Sequence, residues 1–472
     1  MGRPRKGLPD MPDHSSSHSG ALARPRSLFS FSTLGTLFRG RVPGQVVMQY
    51  SDQCNASCAQ CGMRISNKYP RTKMEKDHAK KLIDAMAEKG VQALSFTGGE
   101  PLLHLGEIAE LSRHAAEAGI RFIRTGTNGY IFKGADQPGF KDKISRYAET
   151  LANTPINTFW VSVDSAKPEM HERNRGLPGV IAGIEQALPI FHDMGVFPSA
   201  NLGINRYTGG DGTEALRAGT GEDFDNQEFY ELARRAFRKF YSFVHGLGFT
   251  IVNACYPMSL DSEEAEAQAI YAATSEDDFI SFTPEEKIYL FKALFNTIPE
   301  FRAKMRIFSP RSSLLALIRQ YEGNPEAGYA CRGGIDFFFI DSKDNNTYPC
   351  GYRGSENLGS FADIDLGKID AKAHCRECDW ECFRDPSELI GPIQDILRRP
   401  YRIATRFITD WAMTRIWYED LKYYRACEFF NGRTPPNLRK LDRFSRGFIN
   451  GSGWRAACRA MGGDFSKELC SS

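Results

Sequence analysis

The sequence predicts an α/β chain built on a partial barrel of six β/α units, followed by a small β-hairpin/helix module and a helical C-terminus. Three observations predict it. Between Gln45 and Tyr256, short β-branched or apolar runs alternate with stretches of helical period. Each run is followed by a segment long enough for a crossover helix, the spacing of parallel strands rather than of hairpins. The 472-residue length is about three times the ~150-residue prior for one domain, and 41% of residues are hydrophobic, so a barrel and further units can share one chain.

The elements follow in order. Strands are expected at 46–50, 91–96, 121–127, 158–163, 198–204 and 249–254, with helices at 75–88, 106–118, 141–151, 179–194 and 226–244. In such a barrel the chemistry sits at the C-terminal ends of the strands. Segment 1–44 reads as a basic, largely disordered tail, because its first 26 residues are rich in Pro, Gly, Ser and Arg and short of large apolar groups. Within it Leu28, Phe31, Leu34, Leu37 and Phe38 share one helical face, as an interfacial membrane helix or a helix across the barrel bottom would require. The barrel spans 45–256, with 205–225 as a surface loop. A mainly helical insertion occupies 257–330, a cysteine-dense module 331–389, and a basic, aromatic helical segment 390–472, with helical period strongest over 396–430.

The formal net charge of +2 conceals a partition: +5 over residues 1–45, −10 over 46–389 and +7 over 390–472. An acidic body argues against a basic catalytic cleft and makes nucleic acid the less favoured partner, while the two basic ends suit peripheral contact with an anionic membrane. No apolar run reaches the ~20 residues that cross a bilayer, and the N-terminus has no cationic start followed by an apolar core and a cleavage site. The chain therefore reads as cytoplasmic, with membrane association through its ends. In that compartment twelve cysteines point to metal ligation or redox chemistry rather than disulfides.

Cys54, Cys58 and Cys61 follow the first strand in a C-x3-C-x2-C run. Three thiolates on one loop lack the fourth local ligand that tetrahedral zinc needs, whereas a 4Fe–4S cluster takes one thiolate per iron and would keep one iron open. Gly98, Gly99, Glu100 and Pro101 end the second strand, Thr127, Asn128 and Gly129 the third, and Ser162, Asp164 and Ser165 the fourth, with His171 and Arg173–Gly176 beyond. This ordered set resembles the radical S-adenosylmethionine (SAM) superfamily. The resemblance implies that Cys54, Cys58 and Cys61 hold a 4Fe–4S cluster whose open iron is chelated by SAM. It also implies that Gly98, Gly99, Glu100 and Pro101 contact the SAM amino group, that Asn128 belongs to the same site, that Ser162 hydrogen-bonds SAM and that Arg175 pairs with its carboxylate, a task suited to a bidentate guanidinium. Leu202 is the expected adenine contact. Gln60 departs from the aromatic residue that the family commonly carries before the third cysteine.

Cys331 and Cys350 flank an apolar run, 335–340, and an Asp344-Asn345-Asn346 turn, together a β-hairpin; Cys375, Cys378 and Cys382 follow. By spacing alone a zinc ribbon fits as well. The pattern resembles the SPASM or twitch auxiliary domain, which implies a second, auxiliary 4Fe–4S cluster on Cys331, Cys350, Cys375 and Cys378, with Cys382 able to replace one of them. Cys255 ends the sixth strand, where it is either a buried small residue or a hydrogen-atom donor to a substrate radical. Cys427, Cys458 and Cys470 read as structural thiols and His104 and His171 as scaffold. The resemblance implies reductive SAM cleavage, hydrogen abstraction from an unidentified peptide, lipid or small-metabolite substrate, and a reductase such as flavodoxin or ferredoxin as electron donor. The alternatives are a zinc or iron–sulfur interaction protein without catalysis, and an RNA-modifying enzyme of the same superfamily.

Overall fold

The computed structural model describes residues 31–58, 61, 71–210, 216, 221–257, 269–270 and 278–444. Its strands start where the β-branched runs start: β1 Gly44–Ser51, β2 Val91–Gly98, β3 Phe122–Thr127, β4 Thr158–Ser162, β5 Ser199–Gly203 and β6 Ile251–Cys255. Neighbours in this series pair in parallel. Three further strands extend the sheet. β7, Arg306–Ile307, pairs in parallel with β6; β8, Phe337–Ile340, pairs in parallel with β1; and β9, Thr347–Tyr348, runs antiparallel to β8. The order is β7-β6-β5-β4-β3-β2-β1-β8-β9, with β7 and β9 as its two edges, so the sheet is open.

The crossover helices are α2 Lys76–Glu88, α3 Leu105–Glu117, α4 Phe140–Ala152, α5 Pro168–Arg175, α6 Val180–Asp193 and α7 Asn226–Leu247; the short α1, Phe31–Phe38, precedes them. Their apolar spacing decides which face is buried. In α2 the buried residues are Ala79, Leu82, Ile83 and Met86, and in α7 they run Phe229, Tyr230, Ala233, Ala236, Phe237, Phe240, Tyr241 and Val244. Asp225 caps α7 by accepting from the Glu228 N–H, and Gly248 ends it at φ +107°.

Segment 257–330 supplies α8 Pro284–Phe301 and α9 Arg311–Tyr321 besides β7. Helix α8 is buried on nearly every side. Part of the expected surface loop 205–225 is a correction: Asn205, Arg206, Thr208 and Leu216 are buried. There Arg206 donates to both carboxylate oxygens of Glu286 at 2.8 and 2.7 Å and to the Ser281 carbonyl, drawing the chain inward.

The C-terminal helices are α10 Glu381–Arg398, α11 Pro400–Thr409, α12 Trp411–Cys427 and α13 Leu438–Asp442. Helix α1 packs on α10 and on β1 and β8, Leu37 clustering with Val47, Phe337, Trp380 and Phe383. Strand ends opposite the cysteine loop are also covered from the C-terminus. Phe429 and Phe430 pack on Phe197, Ile251 and Phe308. Gly432 donates to the Asn157 carbonyl at 2.8 Å, and a Cβ there would stand 2.6 Å from that oxygen. No helix among the described residues is long and apolar enough to cross a membrane.

Candidate functional site

The first cysteine loop leaves β1 and is anchored by the end of β2. Gly99 N–H donates to the Ser51 carbonyl and Glu100 N–H to the Gln53 carbonyl, each at 2.8 Å. The glycines are required because the two backbones nearly touch. A Cβ at Gly98, whose φ is +151°, would lie 1.8 Å from Ser51 O, and one at Gly99 2.2 Å from Gln53 O. Pro101 opens a 3-10 turn, Pro101–His104, capped by the Glu100 carboxylate. That carboxylate is fully buried, accepts from Leu102 N–H at 3.0 Å and Asn128 N–H at 2.6 Å, and is pushed up to about 7 by burial.

Asn128, at the end of β3, donates through Nδ2 to Asn55 Oδ1 at 3.0 Å and to Cys54 Sγ at 3.6 Å. Arg175, the last residue of α5, reaches the loop from the other side. It grips Asp164 with Nε at 2.6 Å and Nη2 at 2.9 Å, and its Nη1 stands 3.9 Å from Cys58 Sγ. The neighbouring carboxylate raises the guanidinium against the penalty of burial, so Arg175 is a fixed cation. Burial pushes the Cys58 thiol up to about 12, with Arg175 opposing and Cys61 and Cys54 adding to the rise. The three sulfurs are therefore electrostatic neighbours. His171 Nδ1 accepts from Asp164 N–H at 3.1 Å and burial lowers it to about 4, which keeps the imidazole neutral, a scaffold role. His104 meets Gln53 Oε1 at 3.1 Å, also a scaffold contact.

Ser162 lies half-buried at the end of β4, in register with Asn201. Leu202 follows Asn201 on β5. It is fully buried in the helix-packed core, because successive strand residues alternate faces and its neighbour Asn201 takes the face shared with Cys255. Gln60 lies outside the described residues.

The second group converges from three segments. Cys331 N–H donates to the Cys375 carbonyl at 2.8 Å, and Cys350 follows β9. Electrostatically Cys331 feels Cys375, Cys350 feels Cys331 and Cys375, and Cys378 feels Cys331 and Cys350. Burial pushes Cys331 up to about 11 and Cys350 up to about 12, with the Gly333 and Arg353 N–H groups opposing. None of the ten described cysteines is in a disulfide. Among the described residues no three His, Cys, Asp or Glu side chains close on a point that a single ion would occupy. A 4Fe–4S cluster takes one thiolate per iron, so its ligands need not close on a single point.

Cys382, near the start of α10, has Glu381, Arg124 and Asp385 as its leading electrostatic neighbours. Its Sγ lies 3.6 Å from Glu381 Oε1. Cys255 shares this setting: Asn201 Nδ2 donates to its Sγ at 3.2 Å, Glu381 bonds it, and burial raises the thiol strongly. Glu381 Oε2 and Arg124 Nε are buried without a hydrogen-bond partner. Glu381 and Arg124 carried no sequence signal, one hidden inside a cysteine run and the other a single cation in an apolar strand. Asp164 was visible within its motif but unassigned. Cys427 is buried against Tyr423, Tyr424 and Leu441, as a structural thiol would be; Cys458 and Cys470 lie outside the described residues.

Residues 48–218 match the family model of the Radical SAM superfamily. An AdoMet-dependent heme synthase of Methanosarcina barkeri is 29% identical over 147 residues, 30% of this chain and 38% of that protein. A second, from Oleidesulfovibrio alaskensis, is 23% identical over 79% of this chain and 83% of its own length. A GTP 3′,8-cyclase of Caulobacter vibrioides is 28% identical over 31% of this chain and 41% of the cyclase. The chain thus spans about two fifths of the first and third of these relatives. Among solved structures, native anSMEcpe with bound AdoMet aligns with a TM-score of 0.45 at 16% identity, covering 80% of this chain and 99% of that one.

Proposed function

We propose that this chain is a radical SAM enzyme, one that cleaves SAM reductively to abstract hydrogen from a substrate held in the barrel interior. The observation that carries the reading is the meeting of Cys54, Cys58 and Cys61 with Asn128 and Arg175, brought together from the loop after β1, the end of β3 and the end of α5. When bound, a 4Fe–4S cluster with SAM supplies the electron and the 5′-deoxyadenosyl radical. The residues supply the rest. Gly98 and Gly99 seat the loop, Arg175 holds a fixed positive charge beside Cys58 where an anionic group such as a carboxylate would be paired, and Asn128 orients the Cys54 side.

Cys331, Cys350, Cys375 and Cys378 are the proposed ligands of an auxiliary 4Fe–4S cluster. Cys255 is the proposed hydrogen donor. Its buried thiol keeps the S–H form, which gives a hydrogen atom to a carbon radical and leaves a thiyl; an electron from a flavodoxin- or ferredoxin-class reductant and a proton restore it. The substrate classes that remain in view are a peptide, a lipid and a small metabolite.

Anaerobic purification with iron and sulfide counting tests the proposal first. About eight irons per chain is expected; zinc without iron would overturn it in favour of a binding protein. Replacing Cys54, Cys58 and Cys61 together with Ala should abolish 5′-deoxyadenosine formation on reduction, and its persistence would contradict the ligand assignment.

A further inference from the structure

A cavity of about 960 Å³ lies between the auxiliary cysteine segment and the C-terminal helices. Lys372, Arg376, Arg398, Arg399, Arg402 and Arg406 line it. Its acidic residues are already engaged: Glu326 pairs with Arg376, Asp395 accepts from the Tyr329 hydroxyl, and Asp370 accepts from the Lys372 N–H. Arg398, Arg399 and Arg402 are exposed and have no side-chain ion pair among the described residues. The cleft is therefore cationic with charge to spare.

One wall of the cleft is α11, and its faces differ. Arg406 anchors the inner side, its guanidinium 4.2 Å from the Tyr329 ring centre and its Nη2 donating to the Ala327 carbonyl at 3.2 Å. Tyr401, which also lines the cavity mouth, falls with Ala404 and Ile408 at i, i+3 and i+7, one stripe of the helix that runs outward from the cleft. Tyr401 is 66% exposed and Ile408 82% exposed, beside the cavity-lining Arg402. A free soluble anion has no use for exposed isoleucine and tyrosine. A bilayer surface takes both, headgroup charge in the cleft and apolar side chains at the acyl boundary.

The terminal segments beyond the described residues do not complement the cleft. Residues 1–30 carry five Lys/Arg against two Asp/Glu, and residues 445–472 four against two. Their charge has the same sign as the cleft, so neither terminus is its occupant; the acidic stretch 258–277, with six Asp/Glu and no Lys/Arg, offers no apolar match to the exposed stripe that a bilayer would cover. We propose that the arginine cleft and the outer stripe of α11 form a seat on an anionic phospholipid surface, with a headgroup phosphate held by Arg398, Arg399 and Arg402. This inference does not rest on the cluster chemistry.

Co-sedimentation of the anaerobically purified full chain with phosphatidylcholine vesicles, with and without phosphatidylglycerol, tests it. Binding is expected only to the anionic vesicles and should weaken with salt. Each arginine near such a surface contributes about fivefold, so joint replacement of Arg398, Arg399 and Arg402 by Gln should weaken binding about a hundredfold. Ile408→Ser, at a site too exposed to unfold the chain, should weaken it severalfold while leaving SAM cleavage unchanged. Equal binding to both vesicles, or undiminished binding by the triple variant, would overturn the proposal. So would an unaffected Ile408→Ser variant together with full displacement by free glycerol phosphate, which marks a soluble-anion site, or capture of oligoglutamate without vesicle binding, which marks an acidic-peptide site.

Discussion

Glu100→Gln makes a pH-dependent stability prediction that follows from two hydrogen bonds and one buried charge. In the native chain each carboxylate oxygen accepts one backbone N–H, from Leu102 at 3.0 Å and Asn128 at 2.6 Å. A carboxamide has one accepting oxygen, so one buried N–H would face the new NH2 group, a loss of about 1–3 kcal/mol. Against this, burial has moved Glu100 from its ordinary 4.5 to about 7, equivalent to about 3 kcal/mol once the group is ionised. The folded value is raised, so the folded state holds the proton more tightly. The penalty is absent below pH 4.5, grows as pH rises to 7 and is constant above. The variant is neutral throughout and never carries it. At pH 4.5 the variant should be less stable by about 1–3 kcal/mol; by pH 7.5 the gap should close or reverse, a swing of about 3 kcal/mol. Denaturant unfolding of both proteins at matched iron content, across this range, measures the swing, and titrations common to both cancel in the difference. A stability gap that stays constant from pH 4.5 to 7.5 would refute the buried-charge argument.

Three other outcomes are expected. Cys378→Ser should lower iron by about four per chain whereas Cys382→Ser leaves it unchanged; equal losses would return Cys382 to the ligand set. Asp164→Asn removes the buried counter-charge of Arg175 and should cost about 3–5 kcal/mol in thermal or denaturant unfolding, and a loss below about 1 kcal/mol would show that the pair is dispensable. Gly183→Ala places a Cβ 1.7 Å from the Phe132 carbonyl oxygen, so despite about 1 kcal/mol gained in helix propensity the chain should lose about 1–3 kcal/mol; a stabilised variant would disprove the contact.

Periodicity and motif order made the barrel legible before any coordinates. All six expected strands start within two residues of β1–β6, because a strand buried between helices needs a continuous apolar run and an outer helix needs a 3.6-residue stripe; both are local properties of the chain. The cysteine runs and glycine pairs were legible for the same reason. What was hidden depends on contacts between distant segments. Strand β7 has only two residues, too short to show a period, and exists because β6 offers an edge. The hairpin at 337–348 reads as a separate module, yet β8 pairs with β1 across nearly three hundred residues.

The sequence by itself determined the six β/α units, the two cysteine groups and the unequal distribution of charge. Tertiary structure alone decided that Gly98 and Gly99 are needed by the cysteine loop, that Arg175 is clamped by Asp164, and that Cys382 and Cys255 meet beside Glu381. It also gathered the basic C-terminal residues into one cleft beside an exposed apolar stripe. The physical reason is range: helix and strand periods are set by residues a few positions apart, whereas backbone collisions, buried ion pairs and cavities arise only once remote segments share a volume.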